Sequence, residues 1–480
     1  MFDKKQFDLE MDQARREQTA QLADWLADYI NLNSHIRELP INRQIDEAAM
    51  QKLAAMPIPA AGRDAREVAD EMVHDVFQNA LLCQHPKFFS FVASAVSPYS
   101  LAGSLLTDIY NPHGGGWEEA PAACLIEEKL IKWMGGLAGY PADTCGGVFV
   151  SGGSMANMSA MIAARNAKLA EADYPLGVAY LSDQTHSSVA KDLRLIGFRR
   201  DQIVIIPTDD VFKMRTDLLE EAIRRDITAG KKPFAVVGTI GTTNTGSIDP
   251  LEEIGAICRR YDLWFHVDGA YGGSILISDI YRNYAKGVEL SDSLSWDTHK
   301  WSLQTYSCSS LIAKNVEHLV SAFAENPEYL EDIRSKEHHD PWDLGPEMSR
   351  PHRALKLWFT LQAMGTDRLA DIIDYSFYNA ITACRCLQEK GNWEITSPPM
   401  CGALTFRYVK AGYTGQQLDE LASAISRRIN DDGFAYIVTS TIKGKRVLRL
   451  CLINGNTTTE DVISSIDYLD EIARELTAES

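Results

Sequence analysis

No apolar run among the 480 residues approaches the roughly 18 needed to span a bilayer. The N-terminus, MFDKKQFDLEMDQ, carries acids where a signal peptide would need an apolar stretch. A soluble, cytoplasmic chain with no membrane partner is therefore expected. Basic side chains are outnumbered, 47 against 66 acids, which gives a net charge of −19. Phosphate backbones and anionic membranes need a basic face, so nucleic acid is not an expected partner. The nine cysteines, from Cys83 to Cys451, form no CxxC pair and are odd in number. They read as reduced thiols rather than a disulfide framework. There is no GxGxxG and no Walker loop, which removes support from nicotinamide and nucleoside-triphosphate chemistry. HExxH and paired Cys/His spacings are also missing, so no metal site is expected.

What is present is an alternation of strand and helix. Short apolar runs suited to buried strands occur at 147–150, 178–181, 203–206, 234–239, 263–267, 293–296 and 310–313. Between them lie helical stretches at Met155–Leu169, Asp217–Ala229 and Pro250–Arg260. Such alternation predicts an α/β fold with a mostly parallel sheet covered on both faces. A helix over Arg353–Met364, stopped by Gly365, follows. The tail predicts a small α+β unit: strands at 403–408, 435–440 and 447–452, helices over 416–430 and 459–476, and a turn at Lys443–Lys445. Near the start, Leu22, Trp25, Leu26, Tyr29 and Ile30 share one helical face, and 56–64 (MPIPAAGRD) reads as a linker. Three parts result: an N-terminal helical segment (1–84), a large α/β domain (85–365) and a small C-terminal α+β domain (366–480).

Four sites fall at predicted strand ends, where doubly wound sheets bind ligands. Ser151-Gly152-Gly153-Ser154 precedes a helix whose free N–H groups can cradle a phosphate; the alternative is a tight turn capped by Ser154. His186 is either a structural imidazole or a flat ring laid against a planar cofactor. Asp268 ends an apolar strand and needs a partner: a pyridinium nitrogen, or the backbone of the following turn. Lys300 sits between His299 and Trp301, where burial lowers an amine's pKa and frees it to condense with an aldehyde. A phosphate cradle, a flat histidine, a ring-nitrogen carboxylate and a condensing lysine, in that order, are what pyridoxal 5'-phosphate (PLP) requires.

With VSGGSMAN, SDQTHSSV, GTTNTGSIDP, FHVDGAYGG, WDTHKW and NPEYL in order, the chain resembles the group II PLP-dependent amino-acid decarboxylases. It is most similar to the aromatic-L-amino-acid type and, within that, to the bacterial tryptophan and aromatic amino-acid decarboxylases. The resemblance implies PLP fold type I (aspartate-aminotransferase-like) and a homodimer with its active site at the subunit interface. It implies that Lys300 carries the cofactor, Asp268 pairs with the ring nitrogen, Ala270 packs beneath the ring and His186 stacks above it. Gly153, Ser154 and His299 would hold the phosphate, and Thr243 would contact the cofactor. Tyr329 would protonate the substrate α-carbon, within a polar stretch that fits a mobile lid. Phe91, His113 and Ser349 are the implied substrate residues. Some relatives have Asn where this chain has Asp297, and an acid there puts direct phosphate contact in question. The implied activity is decarboxylation of tryptophan-, phenylalanine- or tyrosine-class substrates. The alternatives are a histidine or glutamate decarboxylase, or a decarboxylating aldehyde synthase.

Overall fold

The computed structural model describes residues 5–6, 31–41, 45–325 and 337–478. The stripe Leu22–Ile30 and Tyr329 lie outside the described residues. Seven strands form the central sheet: β1 (Gly146–Val150), β2 (Gly177–Ser182), β3 (Ile203–Ile206), β4 (Lys232–Thr239), β5 (Trp264–Asp268), β6 (Ser293–Trp296) and β7 (Ser309–Ala313). Their order is β1-β7-β6-β5-β4-β2-β3. The pairs β6–β5, β5–β4, β4–β2 and β2–β3 are parallel, and β7 runs antiparallel to both its neighbours. This is the mostly parallel sheet the alternation predicts.

The pleat sends successive residues to opposite faces, and each face has its own core. Phe149, Tyr180, Val236, Phe265, Val267 and Ile312 belong to one hydrophobic cluster. Val148, Ala179, Val237, Trp264 and Leu311 belong to the other. Period two therefore places His266 and Asp268 on the same face as Trp264. Helix Gly153–Lys168, which contributes Ala156, Ala160, Ala163 and Ala164 to that second core, covers this face.

A second sheet, in the order β10-β11-β9-β8, is antiparallel throughout: β8 (Trp393–Met400), β9 (Ala403–Tyr408), β10 (Thr439–Ile442) and β11 (Lys445–Cys451). The β10–β11 turn has positive φ at both Lys443 (47°) and Gly444 (76°), the backbone that matches a two-residue hairpin to strand twist. Two readings of the tail need correction. Strand β8 carries Pro398 and Pro399, tolerated because it is an edge strand, and those prolines concealed it. The run expected to be strand from 435 pairs instead with the chain near residue 88: Tyr436 bridges Phe88, and its N–H donates to the Lys87 carbonyl (3.0 Å). Regular pairing with β11 begins only at Thr439.

Candidate active site

The ends of β1, β2, β4, β5 and β6 open into one cavity. Gly153, Ser154, His186, Thr243, Asp268, Ala270 and Lys300 all line it, together with Asp297 and Asn157. Helix Gly153–Lys168 begins there with Gly152 as its N-cap residue and without any side-chain cap. The turn capped by Ser154 is thus not what forms, and the helix's first N–H groups keep their capacity for an anion. Gly153 is required by space: a Cβ there would stand 2.9 Å from both the Ala270 Cβ and the Asp297 carboxylate.

Asp268 is 4% exposed. Its Oδ2 accepts from Asn157 Nδ2 (3.1 Å), and its Oδ1 accepts from the Ala270 N–H (3.1 Å) and the Ser295 hydroxyl (3.3 Å). None of these donors is a cation, so the charge remains available to a group in the cavity. Behind it the chain of bonds continues. Asn157 donates to Asp268 through its amide nitrogen, so its Oδ1 must accept from His266 Nε2–H (3.0 Å). His266 Nδ1 then accepts from the Ser293 hydroxyl (2.8 Å), which in turn accepts from Trp264 Nε1–H (2.9 Å). The network requires neutral His266, and burial pushes that imidazole down to about 4 despite the opposing charge of Asp268.

Lys300 departs from the expectation of an amine whose pKa is lowered by burial. Burial does oppose its ammonium, but the Asp297 carboxylate 2.8 Å away, with Asp268 behind it, outweighs that and raises the pKa above the ordinary lysine value. Asp297 is 2% exposed and would itself be raised by burial. Lys300, His299 and the donating Ser309 hydroxyl hold it below the usual carboxylate range instead. His299 donates Nδ1–H to the Cys308 carbonyl (2.8 Å), turns Nε2 toward Asp297 (3.6 Å), and is pushed below the usual histidine range chiefly by burial.

Lys300 also lines a second cavity of about 560 Å3, together with His186, Thr243, His299, Gln304, Tyr306 and two short segments, Leu81–Gln84 and Phe91–Ser94. Phe91 lines it and is 55% exposed, whereas Phe88 and Phe89 are fully buried core residues. His186 bonds its Nδ1 to the Ser188 hydroxyl (2.8 Å) at the start of helix Ser187–Leu195, which fixes the ring at the junction of both cavities. His113 and Ser349 line neither cavity. His113 instead bonds Glu119, and its carbonyl accepts from His352 Nε2–H (3.1 Å).

Comparison with known proteins decides the family. The profile described as "Pyridoxal-dependent decarboxylase conserved domain" matches residues 57–409. The chain is 33% identical to the aromatic-L-amino-acid decarboxylase of Bacillus atrophaeus, over 95% of each chain. This chain belongs to the pyridoxal-dependent decarboxylase family. It is 30% identical to the phenylacetaldehyde synthase of Arabidopsis thaliana over 93% of this chain and 92% of that one. The solved structure of Oryza sativa TDC with PLP and tryptamine superposes with a TM-score of 0.90 at 27% identity, covering 97% of this chain and 98% of that one. The chain is a PLP-dependent carboxy-lyase.

The cavity fits the decarboxylase cofactor on its own geometry. It combines an uncapped helix start, a buried carboxylate bonded only by neutral donors, a lysine, and a buried Thr239 hydroxyl without a partner in the described structure. Sequence reasoning missed Asn157, His266, Ser295, Ser309 and Tyr306. His266 carried a readable signal, being the only other polar residue in β5 and two positions before Asp268. Asn157 lies one helical turn after Gly153, hence on the same face.

Proposed function

We propose that this decarboxylase converts aromatic L-amino acids of the tryptophan, phenylalanine and tyrosine class to the arylalkylamine and carbon dioxide. The observation that carries this reading is the lining of the second cavity. Leu81, Leu82, Phe91, Val92 and Tyr306 offer apolar and aromatic surface, and among the described lining residues the only Lys or Arg is Lys300. A flat apolar side chain finds contact there, whereas a glutamate side chain finds no fixed counter-charge.

Lys300 would carry the cofactor and release it to the substrate amine. Gly153, Ser154 and His299 would hold its phosphate, with Thr243 beside them. Asp268, held by Asn157, Ser295 and the Ala270 N–H, would keep a positive charge on the ring nitrogen, with Ala270 beneath the ring and His186 above it. Bound PLP supplies the electron sink for the pair left on the α-carbon as carbon dioxide departs. Tyr329 would deliver a proton to that carbon, which leads to amine rather than aldehyde.

The reading extends to a homodimer. Tyr99, Leu106, Ile109 and Tyr110 stand exposed on helix Pro98–Tyr110, and a second copy would cover them. His113 and Ser349, outside their own chain's cavity, would then act at the partner's. Nine unpaired cysteines support a reducing, cytoplasmic location. The aldehyde-producing relative keeps a second reading open.

Purified PLP-loaded protein incubated separately with L-tryptophan, L-phenylalanine, L-tyrosine, L-DOPA, L-histidine and L-glutamate tests both readings. Aromatic amines with equimolar carbon dioxide are expected by mass spectrometry. Absence of aromatic amine, or aldehyde as the main product, overturns the proposal.

A further inference from the structure

Asp297 stands against the uncapped helix start that would cradle the cofactor's phosphate. Its carboxylate stands 2.9–3.1 Å from the position of a Cβ at Gly153, the first residue of the uncapped helix. It also holds the Lys300 ammonium at 2.8 Å, faces His299 at 3.6 Å and accepts from Ser309. The Lys300 ammonium, His299 and the start of the helix thus already face an anion supplied by the protein. The first turn of helix Gly153–Lys168 brings no acidic side chain toward it. The titratable groups around it are Lys300, His299 and Tyr306, with Asp268 acting through Lys300.

We propose that Asp297 is the site's internal counterion, holding the anion position in the cofactor-free chain and giving up its charge when a phosphate-bearing aldehyde is captured. Two like charges in a buried site repel strongly unless one is neutralised. The proton needed is adjacent. Lys300 passes one from its ammonium to the Asp297 carboxylate, leaving a neutral acid and a free amine. The amine nitrogen then adds to the aldehyde carbon, the carbon–nitrogen double bond forms, and the aldehyde oxygen leaves as water. The pairing that raises the Lys300 pKa in the cofactor-free chain is therefore the reservoir from which the reactive amine is released. This inference rests on the family's cofactor and is independent of the substrate.

Sulfate isolates the anion step, because it has no aldehyde and keeps its charge between about pH 6 and about pH 8. Its affinity for cofactor-stripped protein is read by protection against PLP capture, followed by the absorbance of the bound cofactor. With no aldehyde to consume a free amine, Lys300 keeps its ammonium and Asp297 takes its proton from solvent, so wild-type affinity is expected to weaken several-fold as pH rises across that range. Asp297→Asn is expected to bind sulfate about tenfold more tightly at the upper pH, one like-charge repulsion being removed, with affinity flat in pH. Asp297→Ser, equally neutral and able to bond Ser309, is expected to repeat that result should the Asn variant fold poorly. Neutral variants that bind sulfate no more tightly than wild type, or a wild-type affinity that does not change with pH, overturn the proposal.

Discussion

The floor and the mouth of the active site are built on opposite terms. At the floor, Asp268, Asn157, His266 and Ser295 are between 0 and 4% exposed and bonded to one another in sequence. At the mouth, Phe91 and Tyr306 are 55% and 74% exposed. The floor's geometry is over-determined within one chain, because a buried polar group left without a partner is costly and each member satisfies the next. The mouth is held by few such constraints. Under the proposed function, chemistry would be fixed on the sheet, while substrate choice would be left to side chains that can vary without disturbing it.

The largest break in this contrast is expected at the floor. Asp268→Asn keeps the shape but removes the charge, and should lower kcat by about 10²–10³-fold with intact folding by circular dichroism. Asn157→Ala leaves both Asp268 and His266 short of a partner. A loss of about ten- to a hundredfold in kcat is expected, with little change in KM. At the mouth, Phe91→Ala should change kcat/KM by about tenfold, mostly through KM and unequally among aromatic substrates.

The smallest effect concerns stability against pH. The folded-state pKa of His266 lies below its unfolded value, so its contribution is present above the unfolded pKa and lost as pH falls. From its ordinary value down to about 4, the unfolded chain takes up a proton that the folded floor refuses. This costs about 3 kcal/mol across the window. Denaturant unfolding of His266→Gln should therefore show a shallower acid limb than wild type; an equal slope would remove His266 from the account.

Much of this was legible in the sequence, for physical reasons. Seven apolar runs mark the central strands because a parallel sheet is buried on both faces, and Lys300, Asp268, Gly153 and His186 were exposed to view by standing at their ends. Strand β8 was hidden by Pro398 and Pro399, which an edge position permits. The floor network was half legible: the period of β5 puts His266 with Asp268, but Asn157 joins them only through the packing of a helix on the sheet. The state of Lys300 was misjudged because burial was weighed without its partner. Asp297, three residues earlier, reverses the sign.

The division between floor and mouth is tested most directly by the ratio of kcat/KM for L-tryptophan to that for L-phenylalanine, measured in wild type, Asp268→Asn and Phe91→Ala. The account predicts that Asp268→Asn lowers both values and leaves the ratio unchanged, while Phe91→Ala shifts it. A ratio that moves in Asp268→Asn, or stays fixed in Phe91→Ala, would contradict the separation of chemistry from selection.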